Sequence, residues 1–438
     1  MTNYYFVGIK GTGMSSLALI LHERGDHVSG SDISKETFTQ IPLNKAGIQI
    51  TDFNPKWIKK SYVLVKGNAF SDKSPQILQA KKYGNKILSY PEAVEKIIKK
   101  HYSIAIAGTH GKTSTTGLLS HIVSNKKPTS FLIGNGTGEG IPNSKYFIVE
   151  ADEYRRHFMS FTPNIAAILN MDLDHPDYFK NVSQVETAFS EFANKVKNAI
   201  FIFGDNKNQL EKISPLKAHK FSFGFNKYND FVITNVNKIT TGSYFTIQKK
   251  KKALGRFFTK LEGNYGIIDT TAAVIIADYI GLNQEQIQEG IKNYNGTKRR
   301  FNIKYLNNFI IIDDYAHHPH EIEATISAAR QKFPHKKLVA IFQPHTYSRV
   351  KTFKQGYISA LKKADTSYLT PIFGSIREKN GHIRSQDILK ELPNNGGLIT
   401  KDDIIKKLGL ERNSVLLFMG AGDIEKYEKV FLKTFKSL

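Results

Sequence analysis

A glycine-containing loop near residue 108 limits the possible folds of this chain more than any other feature. Its residues are Gly108-Thr109-His110-Gly111-Lys112-Thr113-Ser114-Thr115. Residues 102–107 before it are largely apolar and strand-like, and residues 116–123 after it are helix-like. Glycines let the backbone curve closely around phosphate oxygens, and the first N–H groups of a helix point toward negative charge. The segment therefore predicts an α/β unit that carries a phosphate-binding loop.

Two side chains of this loop favour a nucleoside triphosphate as the ligand. Lys112 can contact the phosphate that is transferred, and the hydroxyl of Thr113 can hold Mg²⁺. The strict phosphate-loop pattern has glycine at position 106, where this chain has Ile106, so the loop is a shortened relative of that pattern. The alternative is a tight turn with Lys112 as a surface cation, which the strand–loop–helix context disfavours. ATP is the expected ligand.

The order of apolar segments predicts several α/β units. Strand-like segments cover residues 4–9, 27–32, 104–107, 146–150, 165–170, 199–203, 309–312, 338–342 and 415–419. Helical patterns separate many of them, for example residues 14–24 and the apolar stripe of Ile322, Ile326 and Ala329 that follows Pro319. This alternation is typical of doubly wound, largely parallel sheets. A chain of 438 residues is too long for one ordinary core, so two or three domains are expected.

Composition excludes some chemistry and leaves other partners open. The absence of cysteine excludes disulfides, thiolate metal sites and thiol nucleophiles, so a metal must bind to carboxylate, hydroxyl or imidazole groups, which suits Mg²⁺. The net charge of +23 is compatible with nucleic acid, anionic membranes or acidic substrates. The lysines are scattered and form no basic groove or known nucleic-acid motif, so we expect no nucleic-acid partner.

The start of the chain and its hydropathy predict a cytoplasmic protein. The chain enters a strand at once, without the basic and then apolar segments of a signal peptide. No apolar run approaches the roughly 20 residues of a membrane-spanning helix. We therefore expect no membrane partner.

Four further motifs accompany the loop. They are Gly8-Ile9-Lys10-Gly11-Thr12-Gly13-Met14-Ser15, Asp313-Asp314-Tyr315-Ala316-His317-His318-Pro319, Phe342-Gln343-Pro344-His345 and Phe418-Met419-Gly420-Ala421-Gly422-Asp423. Together with the loop they resemble the Mur ligases, the ATP-dependent amide-forming enzymes that build the peptide of bacterial cell-wall precursors. The similarity spans nearly the whole chain.

This resemblance implies an α/β fold of three domains. Residues 1–98 would form a Rossmann-like domain that binds a UDP-sugar, and residues 99–297 a central P-loop ATPase-like domain with a mostly parallel sheet. Residues 298–438 would form a C-terminal Rossmann-like domain that binds the amino acid. The match is with the members that use ATP and Mg²⁺ to join L-alanine to the lactyl carboxylate of UDP-N-acetylmuramate through an acyl phosphate. The protein would be a monomer or a homodimer.

The resemblance also assigns roles to residues around the nucleotide. Those expected to bind ATP are Gly108, Thr109, His110, Gly111, Lys112, Thr113, Ser114, Asp269, Arg300 and Asp314. The expected catalytic residues are Lys112, Glu150, His175, Arg300 and His317, and the expected metal ligands are Thr113, Glu150 and His175. Without the neighbouring loop, the run Glu150-Ala151-Asp152-Glu153 would favour an ordinary acidic strand end, and His175 is an unusual partner for Mg²⁺, which prefers oxygen. Arg299, the neighbour of Arg300, is assigned no role.

Two further sites are expected from the same motifs. The UDP-sugar site would use Gly11, Thr12, Gly13, Met14, Ser15, Asp32 and Asn68, because a helix start offers backbone and hydroxyl donors to a diphosphate. The amino-acid site would use Tyr315, His318, His345 and Arg349, with the guanidinium of Arg349 clamping the alanine carboxylate. His317 or His318 would accept the amine proton. Structural turns and capping groups are the alternative for each of these residues.

The chain departs from the family pattern in the segment of residues 263–269. Tyr265 replaces a histidine, and Asp269 replaces an asparagine. An ionised aspartate accepts hydrogen bonds but does not donate them, so Asp269 could bind the adenine amino group but not a ring nitrogen.

Two other functions are compatible with the motifs. One is the related ligase that joins a ready-made tripeptide to the same sugar nucleotide, although the run of residues 154–158 and the overall length favour the single-alanine enzyme. The other is a nucleotide-binding regulator without turnover, which the changes at Tyr265 and Asp269 suggest. The residues that argue against the regulator are the intact Lys112, Thr113, Glu150 and His175.

Overall fold

Three sheets with flanking helices make up the chain in the computed structural model, which describes residues 1–250, 252–306, 308–375, 378 and 381–436. The sheets have five, ten and six strands in chain order. We call the units built on them the first, central and third domains. The α/β class and the three-domain organisation are thereby confirmed, while the boundaries after residues 98 and 297 stay predictions. Within the described residues, no helix has the length and apolar character needed to cross a membrane.

The first sheet is wholly parallel, in the order β3-β2-β1-β4-β5. Its strands are β1 (Asn3–Val7), β2 (His27–Ser31), β3 (Gln49–Thr51), β4 (Val63–Lys66) and β5 (Ile87–Ser89). Its helices are α1 (Thr12–Glu23), α2 (Gln40–Lys45), α3 (Pro75–Lys82) and α4 (Tyr90–Ile98). The strand order reverses between β1 and β4, where open α/β sheets bind ligands. The glycine motif of residues 8–15 lies at this position.

The central sheet is parallel in its middle and antiparallel at both edges. Its strands are β6 (Tyr102–Ala107), β7 (Thr129–Ile133), β8 (Thr137–Glu139), β9 (Tyr146–Glu150), β10 (Ile165–Ile168), β11 (Ala199–Phe203), β12 (His219–Gly224), β13 (Phe231–Ile239), β14 (Gly242–Lys249) and β15 (Lys252–Thr259). The order is β15-β14-β13-β12-β11-β10-β6-β9-β7-β8. The strands β6, β7 and β9 to β13 pair in parallel with their neighbours in this part of the sheet, as expected, because helices connect most of them.

Within the described residues, five α-helices belong to the central domain, besides a 3₁₀ helix at Tyr154–Ser160. They are α5 (Lys112–Ser124), α6 (Val182–Ala193), α7 (Lys207–Lys212), α8 (Gly263–Tyr279) and α9 (Gln284–Asn293). Helix α8 is apolar on nearly all sides, and most of its residues are buried. It packs against α5, and so it places its polar residues close to the glycine-containing loop.

The third sheet has the order β16-β17-β21-β18-β19-β20. Its strands are β16 (Asn302–Leu306), β17 (Phe309–Asp314), β18 (Lys337–Phe342), β19 (Thr366–Leu369), β20 (Asn395–Leu398) and β21 (Ser414–Met419), and its helices are α10 (Pro319–Lys332), α11 (Tyr347–Leu361), α12 (Ser385–Leu389), α13 (Ile404–Leu408) and α14 (Ile424–Lys436). The predicted apolar stripe of α10 is confirmed, since Ile322, Ile326 and Ala329 are buried. The sequence analysis took 309–312 as the first strand and missed β16, an antiparallel edge strand whose residues are mostly exposed or half-buried.

Close contacts join the first and central domains. Helix α1 packs against β7 and β8. A β-carbon at Gly140 would lie 2.3 Å from the carbonyl oxygen of Ile20, so only glycine fits there without movement. The N–H of Gly140 also donates to Glu23 Oε2 at 2.6 Å. The end of β8 is therefore held directly against α1.

Candidate active site

The glycine-containing loop joins β6 to the start of α5. Gly108 and Gly111 have φ angles of 144° and 82°, which residues with side chains rarely adopt. A β-carbon at Gly111 would also lie 2.4 Å from Oδ1 of Asp269. Because the helix N-cap is this glycine, the first N–H groups of α5 are available to an anion. The local geometry is that of a phosphate site.

A cavity of about 760 Å³ lies beside the loop, between the central and third domains. This volume is in the range of small-molecule sites. Residues expected at the nucleotide are among those that line it: His110, Gly111, Ser114, Asp269, Arg300 and Asp314. Residues more than 200 positions apart in the chain thus meet at one cavity.

Lys112 lies under the loop in a buried polar environment. Its ammonium donates to the carbonyl oxygen of Thr109 and to Glu153 Oε2, both at 2.9 Å. Burial lowers the pKa of Lys112, but the carboxylates of Glu153 and Asp152 outweigh burial and raise it. The side chain is therefore a fixed positive charge at the phosphate loop.

Thr113 and Glu150 meet at the end of strand β9. The hydroxyl of Thr113 donates to Glu150 Oε2 at 3.0 Å, and the N–H of Gly134 donates to the same oxygen at 2.9 Å. A hydroxyl and a carboxylate are the oxygen ligands that Mg²⁺ prefers. The two side chains therefore suit Mg²⁺ beside a bound triphosphate, and their role as ligands stays a prediction.

His175 lies close to a different set of carboxylates. Ligand atoms of His175, Asp152 and Glu153 lie within 4.8 Å of one another. Burial lowers the pKa of His175, so the ring is neutral near pH 7 and able to coordinate a metal. Its Nδ1 accepts a hydrogen bond from Arg349 Nη2 at 3.0 Å. The predicted metal histidine is thus linked to a residue of the third domain.

The two neighbouring arginines at the start of the third domain have different environments. Arg300 lines the cavity, and its guanidinium lies 3.9 Å from Glu321 Oε1. Burial lowers the pKa of Arg300, while Glu321, Asp314 and Glu150 raise it more strongly. Arg299 instead donates to the carbonyl oxygen of Gly420 at 2.7 Å. Only Arg300 of this pair lines the cavity, and its contact with ATP stays a prediction.

Asp314, the last residue of β17, binds backbone N–H groups of two separate segments. Its carboxylate accepts the N–H groups of Phe301 at 2.8 Å and Ala316 at 2.7 Å. Burial raises its pKa to about 6, against the charge of Arg300. Asp314 therefore fixes the segment that carries Arg300.

A buried ion pair connects the expected amino-acid site to the central domain. Arg349 Nε donates to Asp174 Oδ1 at 2.7 Å, and Nη2 donates to Oδ2 at 3.1 Å. Arg349 Nη1 lies 3.1 Å from His345 Nδ1. The pKa of Asp174 is held well below its usual range despite burial, because Arg349 is so close. The guanidinium predicted to bind a substrate carboxylate is thus occupied by a protein carboxylate in this structure.

The two histidines next to the start of α10 have pKa values shifted in opposite directions. Nδ1 of His317 lies 3.1 Å from Glu321 Oε2, and this carboxylate raises the pKa of His317 against the effect of burial. Burial lowers the pKa of His318 to about 3, as it does for His345. Tyr315 lies under the guanidinium groups of both arginines at the domain start, at 5.1 and 5.3 Å from its ring centre. His318 and His345 are therefore neutral near pH 7.

Asp269 is buried at the cavity wall, on the face of α8 that meets the phosphate loop. Burial raises its pKa to about 7, against the opposing charges of Arg300 and His110. The sequence analysis treated Asp269 as an ionised acceptor. Near neutral pH, however, a large fraction of this carboxyl is protonated and donates as well as accepts, as the asparagine of the family pattern does.

Replacing Asp269 with asparagine is expected to change the pH dependence of stability. Between about pH 4 and pH 7 the unfolded chain loses this proton while the folded chain keeps it, so the free energy of unfolding falls as pH rises. Asparagine does not titrate, so the free energy of unfolding of Asp269→Asn should not fall in this way. Relative to the native protein, it should rise by up to about 4 kcal/mol between pH 4 and pH 8. Chemical denaturation at pH 5 to 8 measures the difference. Asp278→Asn, near the other end of α8, is the matched control, and parallel profiles for all three proteins would contradict the prediction.

The expected UDP-sugar loop lies at the start of α1. Gly11 is its N-cap residue, so backbone N–H groups of the first turn can face an anion. Met14 and Ser15 are buried, and the hydroxyl of Ser15 donates to the carbonyl oxygen of Thr12 at 3.0 Å. The hydroxyl of Ser15 is thus used within the loop in this structure, and its contact with a diphosphate stays a prediction. The backbone of the loop, including Gly13, remains the predicted diphosphate contact.

Asp32 and Asn68 stand at the same edge of the first sheet. Asp32 accepts the N–H groups of Lys10 at 2.6 Å and Ile33 at 2.8 Å, so it fixes the glycine loop. The Asn68 amide lies 3.1 Å from Nε2 of His157, a residue of the central domain. Asn68 therefore lies where the first and central domains meet, and its contact with uridine or sugar stays a prediction.

Sequence analysis missed three acidic residues that organise the site. Glu153 binds Lys112, Asp174 binds Arg349, and Glu321 contacts His110 and Arg300. Glu321 is the third residue of α10 and forms a capping box with its N-cap residue. That spacing was visible in the sequence, but it indicates a helix start and not a contact with another domain.

Models of Mur ligase domains match nearly the whole chain. The model described as "Mur ligase family, catalytic domain" matches residues 3–102, "Mur ligase middle domain" matches residues 106–277, and "Mur ligase, glutamate ligase domain" matches residues 299–422. The chain belongs to the Mur ligase family. The resemblance read from the loop and the four motifs is thereby confirmed.

Individual relatives of this Mur ligase give a finer comparison. The UDP-N-acetylmuramate–L-alanine ligase of Leuconostoc mesenteroides is 48% identical over 98% of this chain and 97% of its own length. The crystal structure of a UDP-N-acetylmuramate–alanine ligase from Thermotoga maritima has a TM-score of 0.83 at 26% identity and covers 100% of both chains. A murein peptide ligase from Psychrobacter arcticus, with a TM-score of 0.72 at 21% identity over 100% of this chain and 99% of its own, shares the fold.

Proposed function

We propose that this Mur ligase joins L-alanine to the lactyl carboxylate of UDP-N-acetylmuramate, with conversion of ATP to ADP and phosphate, during peptidoglycan precursor synthesis. The observation that carries the proposal is 48% identity to a UDP-N-acetylmuramate–L-alanine ligase over 98% of the chain. The cavity beside the phosphate loop supports it, because that cavity places Lys112, Arg300 and two oxygen ligands around one anion site. We place the enzyme in the cytoplasm, as a monomer or homodimer, without nucleic-acid or membrane partners.

The first step transfers the γ-phosphoryl group to the sugar nucleotide. An oxygen of the lactyl carboxylate forms a bond to the γ-phosphorus, and the bond from that phosphorus to the ADP oxygen breaks. Lys112 and Arg300 stabilise the charge that spreads over the phosphoryl oxygens. Thr113 and Glu150, with His175 as the further predicted ligand, would hold Mg²⁺, which would neutralise further phosphate charge. Catalysis in this step is positioning and electrostatic stabilisation.

The second step forms the amide. The alanine amine, after loss of a proton, attacks the acyl carbon, and inorganic phosphate leaves. Arg349 binds the alanine carboxylate, which takes over donors that Asp174 holds in this structure. Burial lowers the pKa of His318 and His345 to about 3 and makes them weak bases, so His317, whose pKa is raised, is the histidine suited to accept the amine proton.

The three substrates bind to different domains, so the domains must move relative to one another during the reaction. The sugar nucleotide binds at the start of α1, the triphosphate binds at the start of α5, and the amino acid binds on the third domain. The third domain contacts the loop through Glu321 and His110 at 3.2 Å, so this structure has the domains in contact. Opening and closing of this interface would admit ATP and exclude water during reaction.

The tripeptide ligase is the competing assignment within the family. The murein peptide ligase of Psychrobacter arcticus shares the fold at 21% identity, a weaker similarity than the alanine ligases. A regulator without turnover is disfavoured because Lys112, Thr113 and Glu150 are present and in contact with the expected partners.

Phosphate release measured with ATP, Mg²⁺ and UDP-N-acetylmuramate tests the assignment. L-alanine, glycine, L-serine and the tripeptide are added one at a time, and a reaction without any amino acid is the control. We expect release with L-alanine to exceed release with the tripeptide by at least about 10²-fold, because a site built for one small ligand discriminates strongly against a large one. Faster release with the tripeptide would establish the competing ligase. Absence of release with every acceptor would leave the regulator.

A further inference from the structure

Three histidines from two domains come together beside the phosphate loop. Ligand nitrogens of His110, His318 and His320 lie within 4.8 Å of one another. His110 precedes α5 in the central domain, whereas His318 and His320 start α10 in the third domain. The ring centres of His110 and His318 are only 4.5 Å apart. His110 and His318 have separate predicted roles at ATP and at the amino acid, and the proposed chemistry does not use the three rings together.

One nitrogen of this cluster has no hydrogen-bond partner although it is buried. The side chain of His110 is 3% exposed, and its Nε2 forms no hydrogen bond. Its other nitrogen, Nδ1, lies 3.2 Å from Glu321 Oε1. Asp172 and Glu321 raise the pKa of His110 to about 9 against the effect of burial, so zinc binding at Nε2 would displace a proton, as metal binding to a protonated ligand does.

Backbone and carboxylate groups orient the other members. Nε2 of His318 lies 3.1 Å from the carbonyl oxygen of Leu173, so this nitrogen carries the hydrogen, and Nδ1 accepts the N–H of His320 at 3.3 Å, a long hydrogen bond that a metal at Nδ1 would replace. Asp172 Oδ2 lies 3.0 Å from Nδ1 of His320 and 3.4 Å from Nε2 of His110. Asp172 therefore faces two of the three imidazoles and supplies a negatively charged oxygen.

We propose that His110, His318, His320 and Asp172 form a binding site for a zinc-class cation that bridges the central and third domains. Three imidazoles and one carboxylate are the donors of a four-coordinate zinc site, while Mg²⁺ prefers sites made of oxygen. Ligand atoms of tetrahedral zinc stand about 3.4 Å apart, so shifts on the order of 1 Å close the observed cluster around an ion. Zinc bound there holds the third domain to the phosphate loop and stops the opening that admits ATP.

Zinc titration of the full chain tests the site without any substrate, so its outcome is independent of the ligase assignment. The protein carries no histidine tag, is first treated with a chelator, and is then titrated with zinc chloride by calorimetry in excess Mg²⁺. We expect one zinc ion per chain. His320→Gln in the third domain and Asp172→Asn in the central domain should each weaken binding by at least about tenfold, the effect of losing even a group that only orients a ligand.

His335→Gln is the matched control, because His335 is exposed on the same domain and outside the cluster. Circular dichroism without zinc shows whether each variant is folded. Equal zinc affinity in His320→Gln and His335→Gln would overturn the proposal, as would displacement of zinc by Mg²⁺. Loss of affinity in only one of the two cluster variants would overturn the bridging arrangement.

A second measurement follows the effect of zinc on phosphate release. His320 and Asp172 have no role in the proposed chemistry, so His320→Gln should keep its activity without zinc. We expect zinc to inhibit the native enzyme and His335→Gln at the concentration that fills the site, with at least about tenfold more zinc needed for His320→Gln. Equal inhibition of all three proteins would show that zinc acts elsewhere and would contradict the proposed block of opening.

Discussion

Lys112→Ala is expected to lower the rate of phosphate release by about 10³-fold. Lys112 is the cation of the phosphate loop, with only 13% of its side chain exposed, and removal of one preorganised charge at a transferring phosphoryl group has effects of this size. Burial already raises the pKa of its partner Glu153 to about 7, so Glu153 can take up a proton when Lys112 is absent. The variant should therefore fold, and steady-state assays with saturating substrates measure the loss.

Lys126→Ala is the matched control for this prediction. Lys126 follows the same helix and pairs with Glu289 at 2.7 Å on the surface. Surface pairs contribute about 0–1 kcal/mol to stability, so activity and unfolding should both stay close to those of the native protein. Activity of Lys112→Ala within about tenfold of the control would remove Lys112 from the proposed phosphoryl transfer.

Arg300→Ala is expected to reduce phosphate release by at least about 10³-fold, while Arg299→Ala should not. A guanidinium that enters from another domain contributes on the order of 10³ to 10⁵ to phosphoryl transfer. Arg300 lines the cavity, whereas Arg299 binds the carbonyl oxygen of Gly420 inside the third domain. We therefore expect the Arg300 variant to lose activity and the Arg299 variant to lose stability.

The comparison between the two arginine variants needs both activity and unfolding. Arg299→Ala should lower the free energy of unfolding by about 1.5–3 kcal/mol, because a hydrogen bond from a charged group is lost, and should keep most of the activity once folded. Equal loss of phosphate release in the two variants would mean that the segment matters as a whole and that Arg300 makes no separate contact. ATP affinity, measured by fluorescence displacement, distinguishes binding from turnover.

Local patterns allowed most of the fold to be predicted from the sequence. Strands β9 and β11 have the predicted limits, because apolar residues run continuously through buried parallel strands. Strand β16 was missed because it is an exposed edge strand with little apolar contrast. The start of α10 at Pro319 was predicted, since proline is favoured in the first turn of a helix.

The candidate site was predictable where one segment carries the chemistry. The phosphate loop and the choice of Arg300 over Arg299 came from short motifs. The partners Asp174 and Glu321 were not found, because each acts on a residue from another domain. The state of Asp269 also depends on burial by α5 and by the third domain, so its raised pKa of about 7 could not be derived from residue type.

The contact between α1 and β8 has a consequence for synthesis of the chain on the ribosome. Strand β8 forms one edge of the ten-stranded sheet, and exposed sheet edges pair readily with strands of other molecules. Domains nearer the amino terminus are completed first during translation. Because α1 is made before β8, the surface that packs on this edge already exists when the edge emerges. A nascent chain is thereby protected from aggregation through this strand before its last domain has been made.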